Sequence, residues 1–554
     1  MDSKLVKKSK IIIAYVLVLM VVLSLFTGCT NGQVDTPPST DEPTKKQPTE
    51  SPDIGSEDDR EMEGNMYITG LPIVKEPVTI KIVMGVEPDH VNFNEKGIYK
   101  ELEKITNVIM EWEMIPNSEM AEKVNLMFTT DEYPEAFIRV GKLRSTEGTW
   151  QYAKDGYFIP LEELVEKYCP NIQKVFEMYP YAKENSVSPD GHIYTIPQVL
   201  DTGLRDIRGA LFINRQWLDH LNLDMPQTTE DYRNALLAFK ENDCNQNGEN
   251  DEIPYSGLYG SAVSGYYDIF GAFGVYDAVD LFSVIDGKVV YEATREEYKN
   301  ALKYMNQLYE DGTLDPEIFT QDQSMFFSKQ VTAKDEIILG SFVGYQFYDV
   351  LEFDRAKEIY QAVTPLKGPD GHQMWRRSSI VDYHLLHITD KCKEPAVLMR
   401  VIDTLNDEYW SICAYYGVED INWKRNEDGT WEEIFTDDPE ALGLTNPKGP
   451  YSLIRDVMKD FLVNEQVQVR RDIVSLYAPY ITDPSYKYPY NAIADEKDSE
   501  RLSIIETDLS TYLDRMHAKF ITEGGIDEGW DAYVEESKRI GLEELLEIKQ
   551  RMMD

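Results

Sequence analysis

Two hydrophobic periods take turns along this chain from Val78 onward. In "VTIKIVMG" the apolar Val78, Ile80, Ile82 and Met84 fall on every second position, the mark of a strand with one face turned inward. "GIYKELEKI" follows with helical spacing, and in "VIMEWEMI" Val108, Met110, Trp112 and Met114 alternate again. Strand, helix, strand at that separation predicts a βαβ unit with parallel strands. "ALFIN" (210–214) reads as a further buried strand that runs into "RQWLDHLNL".

Two helices are marked more strongly. "TTEDYRNALLAFKE" has Thr228 placed to cap its start with Asp231 three residues on, and Tyr232, Ala235, Leu236 and Phe239 share one face. "EYKNALKYMNQLYEDG" lines up Tyr298, Ala301, Leu302, Met305, Leu308 and Tyr309 and stops at Gly312. No internal repeat is visible. A chain of 554 residues is too long for one ordinary core. The expectation is therefore an α/β protein with parallel sheets in two lobes.

Ahead of this pattern the chain obeys other rules. Lys4, Lys7, Lys8 and Lys10 precede an apolar run from Ile11 to Phe26 that is broken only by Ser24, and "LFTGC" closes it. That order predicts a secretory signal peptide over residues 1–28. The ending resembles a bacterial lipobox, which implies a lipidated (palmitate-bearing) Cys29 as the first residue of the mature protein; Phe26 stands where that pattern prefers Leu. The run is also close to spanning length, so an uncleaved membrane helix is the alternative. Residues 30–66 are Pro, Thr, Ser and acid with almost nothing to bury, which predicts a disordered tether behind Cys29 with a reach of roughly 35 Å.

Charge narrows the partners. The 99 acidic against 55 basic side chains give −44, and removing residues 1–28 takes away a net +3, leaving −47. Nucleic acid is argued against, because phosphate binding needs a basic face. Beyond Cys29 the cysteines are Cys169, Cys244, Cys392 and Cys413, with no CxxC spacing for zinc or redox work.

"NDCNQNGENDEIP" is too acidic for an ordinary turn. Counting Asp243 as position 1, side-chain oxygens fall at 1, 3, 5 and 9 (Asp243, Asn245, Asn247, Asp251), with Gly248 at 6 and the Glu249 carbonyl at 7. This is the opening of an EF-hand calcium loop. Position 12 is Pro254, so a true EF-hand is excluded, and Glu252 beside Asp251 is the available closing carboxylate. The bland alternative is a solvated Asx turn. Lying between a helix and "EIPYSG", the loop reads as frame and not as substrate site.

The chain resembles the extracellular solute-binding proteins of carbohydrate ABC transporters, family 1. The stretches that carry this are "GYFIPLEELVEKYCPNI" (156–172), "DGHIYTIP" (190–197) and "LFINRQWLDHLNLDMPQTTEDY" (211–232), then "LYEDGTLDPE" (308–317), "YYGVEDINW" (415–423) and "GWDAYVEESKRIGLEELLEI" (529–548). Each is weak alone; order and spacing together are specific. The alginate-binding members have a similar DxNxNGxxDE loop holding structural calcium. The resemblance implies a two-lobed type II periplasmic-binding-protein fold with hinge crossings and an interlobe cleft. It assigns 67–205 plus 366–410 to lobe 1 and 206–365 plus 411–554 to lobe 2. It also implies a monomer on the outer face of the cell membrane that captures an oligosaccharide and hands it to permease subunits.

No G-x-S-x-G, P-loop, H-E-x-x-H or dinucleotide fingerprint occurs, so no enzyme is expected. His384 and His387 are i, i+3 on a strand and are expected on opposite faces, as separate structural residues. The rival readings are a surface-anchored carbohydrate-active hydrolase, which needs only two carboxylates, and a calcium-dependent sensor or adhesion module. Sugar sites stack rings on aromatic side chains and surround hydroxyls with polar ones. The expected ligand residues are Trp150, Arg208, Tyr266, Tyr267, Tyr345, Trp375 and Arg376, with Trp112, Trp217, Trp423 and Trp530 assigned to packing. The charge argues against a polyanionic sugar unless Arg205, Arg208, Arg376 and Arg377 gather in a local basic cleft.

Overall fold

Ile80, Ile82 and Met84 are buried to 1% or less in a computed structural model of the chain, on one face of the strand Val78–Val86. The structure describes residues 60–86, 92–95, 97–143, 145–332, 335–434, 449–489 and 496–553; the signal peptide, Cys29 and residues 30–59 of the tether lie outside them. The tether expected through residue 66 differs at its end. Met62–Glu63 pairs with Met66–Tyr67, and Met66 and Tyr67 are buried under the Arg60 guanidinium, which lies 3.7 Å from the Tyr67 ring centre.

The βαβ unit is present. The helix Gly97–Thr106 joins Val78–Val86 to Val108–Pro116, which pair in parallel from Val78 opposite Val108 to Val86 opposite Pro116. They belong to a five-stranded sheet in the order Val108–Pro116, Val78–Val86, Ala136–Ile138, Val381–Ile388, Ile196–Val199. The fourth strand comes from far along the chain and runs antiparallel to both neighbours. Both faces are covered: Ile80, Ile82 and Trp112 face one core, while Val83 and Phe137 face a smaller one with Met120, Val124 and Phe128.

The second sheet corrects the expectation of parallel strands in both lobes. Ala210–Asn214 is a strand, but its neighbours Ser341–Gly344 and Tyr360–Ala362 both run antiparallel to it. Alternation predicts a strand and says nothing of its partner's direction, which long connections decide. Around this sheet pack the helix Thr229–Glu241, with the expected Thr228–Asp231 capping box, the helix Glu296–Glu310, and the C-terminal helices Glu496–Glu523, Ile526–Ile540 and Leu542–Met553.

Two large cores thus define two lobes. One takes buried residues from Met66 to Leu204 and from Val381 to Val467; the other takes Ile207 to Trp375 and Ile473 to Ile548. The chain passes between them at 204–207, 375–381 and 467–473, where the expected crossings were 205, 365 and 410. The later two shift because Leu366 and Trp375 pack in the second core, while Ile412, Trp423, Trp431 and Phe461 pack in the first.

Candidate ligand cleft and the acidic loop

The crossings are tied to one another by main-chain bonds. Leu200 N donates to Ile380 O (2.8 Å), Ser378 N to Asp206 O (2.9 Å) and Asp201 N to Leu453 O (3.0 Å). Gly209 sits there because a Cβ would lie 2.4 Å from Val263 O. Arg470, on the helix Glu465–Tyr477, is 2% exposed and serves these segments from beneath. Its Nε donates to Leu204 O (3.1 Å), Nη2 to Ile207 O (2.7 Å) and Nη1 to Tyr345 O, and the guanidinium lies 3.9 Å from the Tyr345 ring centre. Burial draws its pKa down.

Above this staple two further arginines share one acid. Arg205 Nη2 and Arg208 Nη2 stand 3.7 and 3.8 Å from the two oxygens of Asp382. Both are beyond hydrogen-bond length. Burial and then the Arg205 charge lower the pKa of Arg208, with Arg376 adding to the effect. Tyr345 reaches Leu204 O with its hydroxyl at 3.4 Å. The half-buried Tyr415 is close enough to Tyr345 and Arg205 for their charges to act on its phenol.

Other expected ligand residues fall elsewhere. Trp375 is 1% exposed; its Nε1 donates to Gly209 O (2.9 Å) and its ring meets Tyr477 edge-on at 4.9 Å, so it is core. Tyr266 is fully buried and bonds His517 Nε2 at 2.9 Å, so it too is core. Its ring stacks on Phe270 beside His517 in the second core. Tyr267 is half-buried, its hydroxyl accepting from Gly260 N (2.9 Å). Arg376 is committed to buried Asp268 (2.9 Å) and to Ala262 O (2.8 Å); burial pushes the Asp268 carboxyl up against the pull of Arg376. Arg377 donates to Thr482 O (2.9 Å). Trp150 is half-buried against the small core of lobe 1.

Beside Trp150, the histidine expectation is corrected. His384 Nδ1 and His387 Nε2 both reach Thr149 Oγ1, at 3.2 and 2.9 Å. The strand register shifts between Asp382 and Leu386, and His384 has φ 56°. That bulge adds the half-turn which brings an i, i+3 pair to one face.

In the acidic loop, Gly248 takes φ 82° and the turn closes through side chains. Asp243 accepts from Asn247 N (3.0 Å) and Gly248 N (2.9 Å), and Asn247 Oδ1 from Glu249 N (2.7 Å). Asp251 accepts from both Asn245 and Asn247 amides, at 3.1 and 3.2 Å. Glu252 Oε1 accepts from Cys244 N (2.7 Å), while its Oε2 is buried and takes no hydrogen bond. A buried carboxylate oxygen without a donor suits a hard cation. Among the described residues no three His, Cys, Asp or Glu side chains gather as a metal group. The loop also grips Ile337 O through Asn245 (3.2 Å), next to the bridge Ile253–Leu339. It fastens helix to sheet.

The sheet order and paired cores are those of a two-lobed solute-binding protein. An S. pneumoniae substrate-binding protein, FusA, solved in complex with kestose and as an EF-hand mutant in complex with fructo-nystose, superposes with a TM-score of 0.76 at 29% identity, over 86% of this chain and 99% of that one. The alginate-binding protein AlgQ2, solved without calcium, shares the fold (TM-score 0.68, 21% identity, 89% of this chain and 100% of that one). No family model matches the chain. In sequence it is 30% identical over 509 residues to the fructooligosaccharide ABC transporter substrate-binding protein FusA of Streptococcus pneumoniae, spanning 87% of this chain and 91% of FusA. It is 25% identical to the lipoprotein LipO of Bacillus subtilis, over 72% of this chain and 78% of LipO. The chain belongs to the substrate-binding proteins of carbohydrate ABC transporters.

Proposed function

We propose that this protein, anchored at the outer face of the membrane through a lipid on Cys29, captures an oligosaccharide between its lobes and delivers it to permease subunits. The observation that carries the reading is the 30% identity to a fructooligosaccharide-binding protein along nearly the whole of both chains. The crossings at 204–207, 375–381 and 467–473 supply the hinge such capture needs. Tyr345 and Arg208, which stand at the crossing, are the ligand contacts of this proposal. Lobe 1 is then 60–204 plus 381–467, and lobe 2 is 207–375 plus 473–553.

The acidic loop would hold calcium through Asp243, Asn245, Asn247, the Glu249 carbonyl, Asp251 and Glu252, and the ion would supply structural rigidity only. Support comes from the orphaned Glu252 oxygen and from the EF-hand of FusA.

The test is calorimetry of the full-length chain with a panel of oligosaccharides, followed by chromatography of the ligand. Binding with ligand recovered intact is expected. Cleaved ligand would make the protein the surface hydrolase instead, and no binding would sink capture. For the anchor, Cys29→Ser is expected to leave an uncleaved or released protein; mass spectrometry finding wild-type Cys29 unmodified would end that part.

A further inference from the structure

The arginine pair at the crossing narrows the ligand. Arg205 and Arg208 bring ten guanidinium N–H donors to one place, and among the described residues neither makes a hydrogen bond to the protein. Arg205 is only 13% exposed and Arg208 34%, yet none of their nitrogens is sealed in packed protein without a partner. Their donors therefore keep some contact with solvent beside the crossing.

Charge points the same way. Among the described residues Asp382, at 17% exposure, is the carboxylate within ion-pair distance of both arginines, and it stands nearly equidistant from them. Two full positive charges against one leave an excess of one at a partly desolvated place, where the cost of an uncompensated charge is high. Arg376 does not relieve it, being matched to Asp268. Arg470 below is spent on main-chain carbonyls. In a chain with 99 acids and 55 bases, two adjacent arginines sharing one acid at the hinge are not an average of the surface.

We propose that the captured saccharide carries a carboxylate, as a uronic acid residue does, and that Arg205 and Arg208 receive it. A planar carboxylate accepts two parallel N–H bonds from a guanidinium, which a hydroxyl cannot do. The Tyr345 ring, held flat by Arg470, offers a face for the neighbouring sugar's C–H groups. Asp382 keeps the two guanidiniums apart and oriented before the ligand arrives. The proposal rests on the oligosaccharide-capture reading above.

The experiment titrates the full-length chain with trisaccharides of galacturonate, glucuronate and mannuronate, each beside its carboxyl-reduced neutral counterpart, and with kestose. At least one acid is expected to bind tenfold or more tightly than its neutral counterpart. Added salt should narrow that margin. Arg208→Gln should close it, and Arg208→Lys should restore part of it, with the melting temperature of each variant reported alongside. If Arg208→Gln does not fold, the wild-type comparison of acid with reduced sugar decides alone. Neutral saccharides binding as well as or better than every acid would overturn the carboxylate and leave oligosaccharide capture standing. Binding of no saccharide, acidic or neutral, would overturn both.

Discussion

Trp375 shows how far one residue's neighbours outweigh its address in the chain. Its aromatic ring makes it an expected sugar-stacking residue, yet its indole is spent on Gly209 O and on the Tyr477 ring. Trp375→Ala is expected to cost ~3–5 kcal/mol of stability, the usual range for a buried tryptophan. Urea titration checks it, against Trp112→Ala, whose ring packs 4.8 Å from Tyr99 and should cost as much. Normal stability of Trp375→Ala with lost sugar binding would return the residue to the cleft. His517 is the second case. Buried between Tyr266 and Tyr298, it is held neutral, its pKa brought down to about 3 by burial. Between that value and the unfolded 6.5 the unfolded chain binds the extra proton, so stability falls as pH falls through this window. Asp277, Asp349 and Asp403, pushed up to about 6 by burial, act in the opposite sense. The comparison is therefore of wild type with His517→Gln: the variant should lose stability less steeply from pH 6.5 downward, by at most about 4 kcal/mol across the window. Parallel curves would show His517 titrating normally.

Elements were easier to read than sites because periodicity is local. The Thr228–Asp231 box and the face Tyr232, Ala235, Leu236, Phe239 appear as the spacing predicts, because capping and one buried stripe need nothing beyond the helix and a core to meet. The pair His384 and His387 departs from its expected opposite faces for the converse reason: a bulge is invisible to a rule of strict alternation. The acidic loop is an element in its own right, joining helix to sheet. If calcium closes it, chelation should lower the melting temperature, since an ion bound only to the native state stabilises it by mass action. Asp243→Ala and Glu252→Gln should each abolish that response while sugar affinity at saturating calcium changes less than twofold. A melting curve indifferent to chelator in the wild type would leave the loop an acidic turn.

At the scale of the whole molecule, capture as proposed needs two cores that move as two bodies. Three crossings join them, and Arg470 binds one, 204–207, to the lobe 2 strand end at Tyr345. Arg470→Met keeps the length of the side chain and removes the donors, leaving the buried Ile207 carbonyl unmet and Leu204 O with only the 3.4 Å bond from the Tyr345 hydroxyl. A loss on the order of 3 kcal/mol is expected, with a broader spread of lobe separations in small-angle scattering of the ligand-free protein. A variant with unchanged melting and unchanged scattering would show that the staple carries neither stability nor hinge order. The residue had a sequence signal: in "VQVRRDIV" a charge at 470 falls on the stripe of Val467, Ile473 and Val474, where a helix buries what it presents.

The chain's own pattern determined the α/β class, the βαβ start, the capped helices and the acidic loop, since each depends on residues within one element or on consecutive elements. The family likeness was legible too, because its stretches recur in order. What only the tertiary structure decided is whatever joins distant segments: the antiparallel neighbours of Ala210–Asn214, and the crossings after Trp375 and Val467. To these belongs the meeting of Arg205 and Arg208 with Asp382 across some 175 positions. Alternation records that a side chain is buried or exposed. It carries no information on which remote side chain it will face, and a binding site is made of such meetings.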